Sequence, residues 1–142
     1  MKIDLPKIIQ GGNHHDQRGS IQFMNDFDMS LVKRFYCITN ANTEVKRGWR
    51  GHKIEQRWFF ASHGTFSIKL VRIDNWENPD KHGLITDFTL TDDEIAVLHV
   101  PAGYASLIQS KSENASLFIF ADHHIAHAKL DDYLYDVDYF VG

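Results

Sequence analysis

The sequence predicts an all-β fold, a β-sandwich or jelly roll. Three observations carry that reading. Roughly eight to ten short segments rich in β-branched and aromatic residues follow one another, separated by turn-forming residues at short intervals. Helical periodicity is almost absent. Aromatics are plentiful, with 10 Phe, 5 Tyr and 3 Trp in 142 residues, a content that suits packed sheet faces. No repeat, linker or low-complexity stretch divides the chain, so residues 1–142 read as one domain.

Taken in order, Met1 to Ile9 alternates weakly and reads as an edge strand or arm, since Pro6 cannot donate to a ladder. Gly11 to Asp16 reads as a loop, and Ile21 to Met24 as a short strand. Asn25 to Ser30 is a polar connection. Leu31 to Thr39 alternates: Val32, Arg34, Tyr36 and Ile38 point one way, Leu31, Lys33, Phe35 and Cys37 the other. The first set mixes polar and apolar side chains, as a cavity-lining face would. Asn40 to Thr43 is a turn. Gln56 to Ala61 and Thr65 to Ile73 read as two strands of a β-hairpin around His63-Gly64. Asp74 to Gly83 is a loop. Ile85 to Leu90 and Ile95 to Val100 are strands, the second stopped by Pro101. Pro101 to Tyr104 is a tight turn. Ala105 to Gln109 and Ala115 to Ala121 close the core, joined by a turn at Lys111 to Asn114. Ile125 to Tyr135 reads as a loop or short helix, and Tyr139-Phe140 as an apolar tail packed on the body or on a neighbour.

Composition narrows the function. The 15 basic and 19 acidic side chains give a formal charge of −4, which argues against a general nucleic-acid binder while allowing a local basic pocket. One cysteine, Cys37, permits no internal disulfide. No secretory signal is visible at the start and no apolar run approaches the length that spans a bilayer, so a cytoplasmic protein is the expectation.

The stretch that carries chemistry is Arg47-Gly48-Trp49-Arg50-Gly51-His52-Lys53-Ile54-Glu55-Gln56-Arg57. Arginine's planar fork suits phosphate or carboxylate. His52 titrates near neutrality and can move a proton. The bland alternative is a solvated basic turn beside a buried tryptophan. Tyr36 and Tyr104 can donate a proton, stack on a base or sugar, or simply pack. His123, His124 and His127 have a spacing that could suit zinc, but they read as a surface tail segment. A metal-binding barrel of this kind would want histidines where Arg50 and Ser106 stand, and arginine is not an ordinary ligand. No metal and no other cofactor are expected.

These motifs resemble a known family. Asp16-Gln17-Arg18-Gly19-Ser20-Ile21, Lys33-Arg34-Phe35-Tyr36-Cys37-Ile38 and Arg47-Gly48-Trp49-Arg50-Gly51-His52-Lys53 match, in order, the sugar-nucleotide cupins. The branch is the WxcM-like or FdtA-like 3,4-ketoisomerases, relatives of the dTDP-4-dehydrorhamnose 3,5-epimerases. The tail Asp132 to Phe140 is similar to the ending of those ketoisomerases. The resemblance implies a cupin jelly-roll barrel (an RmlC-like double-stranded β-helix), a homodimer, metal-free chemistry, and a dTDP-linked 4-keto-6-deoxy sugar whose carbonyl moves by proton transfer through an enediol. It implies catalytic roles for His52 and Tyr36, and substrate contacts for Arg34, Arg47, Arg50, Arg57 and Tyr104.

The family's first histidine is Arg50 here, and a guanidinium is a poor base. Three outcomes follow: an isomerase or epimerase with His52 as proton carrier, chemistry shifted to another sugar, or a catalytically inactive nucleotide-sugar-binding cupin. The aromatic strands and apolar tail also permit a structural or assembly protein that uses the barrel face.

Overall fold

The computed structural model describes residues 4–142; the first three residues of the expected opening strand lie outside them. The strands are β1 (Lys7–Gln10), β2 (Gly12–Asp16), β3 (Gly19–Phe23), β4 (Arg34–Ile38), β5 (Lys46–His52), β6 (Arg57–His63), β7 (Thr65–Arg72), β8 (Ile85–Thr91), β9 (Ala96–Val100), β10 (Tyr104–Ser110), β11 (Ser116–Ala121) and β12 (Tyr133–Leu134). One 3₁₀ turn, Ile125–Leu130, precedes β12. Two antiparallel five-stranded sheets form, in the orders β1-β9-β6-β11-β4 and β12-β5-β10-β7-β8, and β2 pairs with β3 as a separate hairpin. Among the described residues no helix is long and apolar enough to cross a membrane.

The inner faces meet in a core of Phe59, Ala61, Phe66, Ile68, Leu70, Leu98, Leu117 and Ile119. These residues alternate along their strands, as two facing sheets require. A second cluster lies behind the second sheet. There Trp49, Val71, Ile73, Ala105 and Leu107 pack against Phe140, with Trp76, Tyr135 and Tyr139 around them. The C-terminal tail therefore packs on its own barrel. The indole of Trp49 donates to the Val137 carbonyl at 3.0 Å, and the Tyr135 hydroxyl donates to the Trp76 carbonyl at 2.8 Å.

Several sequence expectations need correction. β6 and β7 are consecutive but are not a hairpin: β6 pairs with β9 and β11, whereas β7 pairs with β8 and β10. The chain changes sheets at Gly64, whose φ of 73° a side chain rarely adopts. Both strands bury apolar residues, so they meet face to face across the core instead of edge to edge. β10 and β11 split between the sheets in the same way. The expected loop at Gly11 to Asp16 contains β2, whose strand is polar and therefore silent to an apolar-alternation test. Asp16 accepts from the Arg18 amide at 2.9 Å, which closes the turn into β3. The arginine-rich stretch is strand β5 as far as His52, and only residues 53–56 form the connection to β6, which begins at Arg57.

Candidate active site

β5 lies between β10 and β12. Its two-residue period sends Trp49 to the back cluster and pairs Arg50 and His52 with Ser106 and Tyr104 of β10, on the inner face. Two glycines make this possible. Gly48 has φ 126°, and a Cβ there would stand 2.2 Å from the Ser106 carbonyl oxygen. The register shifts at that point, between Ser106 and Leu107. Such a bulge re-aims side chains, and Arg47 joins Arg50 on the cavity side. A Cβ on Gly51 would lie 2.7 Å from the Trp76 ring, so the small residue admits the aromatic cover behind the strand.

The cavity between the sheets has a volume of about 490 Å³ and is lined by Tyr36, Arg47, Arg50, Arg57, Ser106 and Leu134, among others. That size suits a small-molecule site. Arg47 donates from Nε to Asn40 Oδ1 at 2.6 Å. Arg50 Nε lies 3.0 Å from Asp132 Oδ1, with half of the arginine side chain exposed. Each arginine is thus aimed by one polar neighbour and still lines the cavity.

Deeper in, the charges are paired. Glu55 is 4% exposed. It accepts from Arg34 Nη1 at 2.7 Å and from Arg57 Nε at 2.8 Å. Arg34 also donates to the His123 carbonyl at 2.8 Å, and Arg57 Nη1 donates to the Tyr36 hydroxyl at 2.6 Å. Burial pushes the Glu55 carboxyl up, but the two guanidiniums outweigh it and hold the group below its usual range.

His52 is buried, with Nδ1 2.8 Å from the Asp131 carbonyl oxygen. A carbonyl only accepts, so Nδ1 carries the hydrogen and Nε2 of the neutral ring holds the lone pair. Nε2 is buried and has no hydrogen-bond partner among the described residues. Burial, followed by the charge of Arg57, holds the His52 pKa below its ordinary value, against the opposing Asp131 carbonyl, Glu55 and Asp131 carboxylate. The Asp131 carboxylate accepts from the amides of Lys53, Ile54 and Glu55. The C-terminal segment thereby pins the chain just past His52.

Of the residues singled out from sequence, Tyr36, Arg47, Arg50 and Arg57 line the cavity. His52 sits on the same strand face as Arg50, two residues along, buried and absent from the lining. Arg34 is engaged by Glu55 and the His123 carbonyl and is absent from the lining. Tyr104 packs in the core, and its hydroxyl reaches the Asp4 carbonyl oxygen at 3.4 Å; burial pushes its pKa up. Among the described residues no three His, Cys, Asp or Glu side chains group as a metal site. His123 and His127 rings are 6.0 Å apart, and His123 engages Asp122. Sequence reasoning missed the roles of Glu55, Asp131 and Asn40. Glu55 had a faint signal, an acid two residues from Arg57. Asp131 had none, because it lies 79 residues from His52.

No curated protein matches the sequence significantly. Solved structures share its fold. QdtA, a sugar 3,4-ketoisomerase from Thermoanaerobacterium thermosaccharolyticum in complex with TDP, is 19% identical with a TM-score of 0.69, over 89% of this chain and 85% of that one. The TDP-quinovose 3,4-ketoisomerase WlaRB from Campylobacter jejuni is 20% identical with a TM-score of 0.64, over 98% and 93%. ChmJ, a 3'-monoepimerase from Streptomyces bikiniensis in complex with dTDP-quinovose, is 14% identical with a TM-score of 0.74, over 96% and 72%. The fold is therefore the RmlC-like cupin barrel. The family model described as FdtA, WxcM-like C-terminal, matches residues 2–142, and the chain belongs to that family.

Proposed function

We propose that the protein is an isomerase or epimerase of a nucleotide-linked 4-keto-6-deoxy sugar, with dTDP as the nucleotide. The observation that carries this is His52: a neutral imidazole with its tautomer set by the Asp131 carbonyl and an unpartnered Nε2, on the strand face that carries Arg50. Moving a carbonyl from C4 to C3 needs four proton events. C3 loses a proton, O4 gains one, the O3 hydroxyl loses one, and C4 gains one. No oxidant or reductant enters. His52 Nε2 takes the carbon-bound proton and returns it, and the Tyr36 hydroxyl serves the oxygens. Arg47 and Arg50 at the cavity hold the diphosphate, so that its binding orients the sugar. TDP-bound QdtA and a histidine-to-asparagine QdtA variant holding TDP-4-keto-6-deoxyglucose support the ligand class.

The test is to incubate the protein with dTDP-4-keto-6-deoxyglucose in D₂O. Deuterium should enter the sugar ring and the ketoisomer or epimer should accumulate. Tight dTDP binding with neither exchange nor product, across several keto sugars, would leave the inactive binding reading. That second reading has its own observation, Arg50 beside Asp132 where the family pattern has a histidine.

A second copy of this chain is the proposed partner. β4 is a sheet edge, and Phe35 on it is 64% exposed. Ile21, Phe23, Met29 and Leu31 are exposed as well. Apolar side chains beside an open strand edge favour association. Sedimentation should show a dimer that Phe35→Lys dissociates; a wild-type monomer at high concentration ends this part of the proposal.

A further inference from the structure

We propose that Glu55 is a positioning residue: it holds Arg57 against the Tyr36 hydroxyl, which directs the Tyr36 proton to the ligand and leaves the diphosphate to Arg47 and Arg50. The inference rests on the isomerase reading above and assigns a role that neither the motif nor the cavity lining indicates.

A buried carboxylate needs its charge matched. Glu55 has two cations, one on each oxygen, and their side chains are only 17% and 12% exposed. Guanidinium is a rigid fork of five N–H donors without an acceptor. Once Nε is fixed on Glu55 Oε2, the plane of Arg57 is set, and Nη1 falls 2.6 Å from Tyr36 Oη. The phenolic oxygen can only accept there. Its own hydrogen must go to another partner, and Tyr36 lines the cavity. When that hydrogen leaves, the negative oxygen faces a cation already in place, the kind of preorganisation that lowers a barrier without reorganisation.

The same carboxylate oxygen lies 3.9 Å from His52 Nδ1. Arg57, Glu55 and Asp131 are the charges that act on the imidazole. Glu55 thus touches both members of the proton-transfer pair indirectly, one through Arg57 and one through its field. Arg47 and Arg50 lie outside this network, on Asn40 and Asp132. Removing the Glu55 charge should therefore damage chemistry and spare nucleotide binding.

The experiment compares Glu55→Gln and Glu55→Asp in the full chain. With Glu55→Gln, the dTDP dissociation constant should stay within about threefold and kcat should fall about 100-fold, the low end of a general acid–base contribution. Glu55→Asp should recover about tenfold of that loss. Independently of turnover, NMR of the unliganded protein should show a slowly exchanging Arg57 Nε–H in wild type and Glu55→Asp that disappears in Glu55→Gln. His52 should titrate at lower pH in Glu55→Gln, because a favourable negative charge is gone. If Glu55→Gln fails to fold, Arg57→Lys keeps the charge, loses the fork, and should show the same split between binding and turnover. The proposal is overturned if nucleotide affinity and turnover fall in proportion, if turnover is unchanged, or if the Arg57 signal persists. A wild-type protein that neither exchanges nor converts keto sugars removes the isomerase reading, and the NMR comparison then decides whether Glu55 holds Arg57.

Discussion

The mouth and the depth of the cavity use the same residue type for opposite ends. Arg50 at the mouth is half exposed and meets Asp132 through one nitrogen. Arg57 in the depth, and Arg34 behind the cavity wall, are mostly buried and share Glu55. A guanidinium in water keeps most of its charge for a visitor, though screened; one locked on a buried carboxylate has its charge and geometry committed. The comparison teaches that a cation's role here follows from its partner and not from its place in a motif. It also divides the labour: the depth should govern rate and the mouth affinity.

The largest expected effect tests the depth. His52→Gln keeps a planar polar side chain but removes the base. Turnover should fall by about 10³, within the range of a general base, while dTDP affinity measured by calorimetry stays near wild type. Equal losses of affinity and rate would erase the proposed division, because they would place His52 in binding.

The mouth gives the next effect. Arg47→Gln and Arg50→Gln should each weaken dTDP binding by about tenfold, the scale of one charge-assisted hydrogen bond lost. The salt dependence of binding should flatten in both, since a partly exposed charge is screened by ions. Arg34→Gln should leave that salt dependence unchanged. A variant of Arg34 that flattened it as strongly as Arg50→Gln would put the buried arginine on the phosphate and break the comparison.

The two regions were unequally legible in the sequence. Alternation identified the faces of β4 and β7 and placed Tyr36 and Ile38 toward a cavity, because a strand's period is a local property. Partners are not local. β6 and β7 are adjacent in sequence yet belong to different sheets, a choice made by which apolar faces must meet. The mouth arginines announced themselves through glycines and spacing in one short stretch. In the depth, Arg34 meets Glu55 and Arg57 meets Tyr36, each across 21 residues of sequence, and Asp131 arrives from the far end of the chain. Residue type suggested anion binding for Arg34 and Arg57 as readily as for Arg50. Burial and a shared carboxylate separate them, and neither is written in a linear pattern.

The smallest expected effect is thermodynamic, and it sharpens the comparison without substrate. His52 in the depth has a pKa held below 6.5 by burial and by Arg57. His99 is held down by burial, then by Lys7, while stacking on Trp58 and engaging Gln56. A histidine whose folded pKa is depressed binds its proton first in the unfolded chain. Its contribution to stability is therefore present above pH 6.5 and is lost as pH falls through the folded value. The urea midpoint should be lower at pH 5.5 than at pH 7.5, a window in which exposed carboxylates stay ionised. His52→Gln should shrink that difference and leave the part due to His99. Arg50→Gln, at the mouth, should leave it intact. Equal midpoints at the two pH values, or a higher one at pH 5.5, would mean that the imidazole accepts its proton in the folded state. The surroundings of His52 would then not favour the neutral ring that proton abstraction needs.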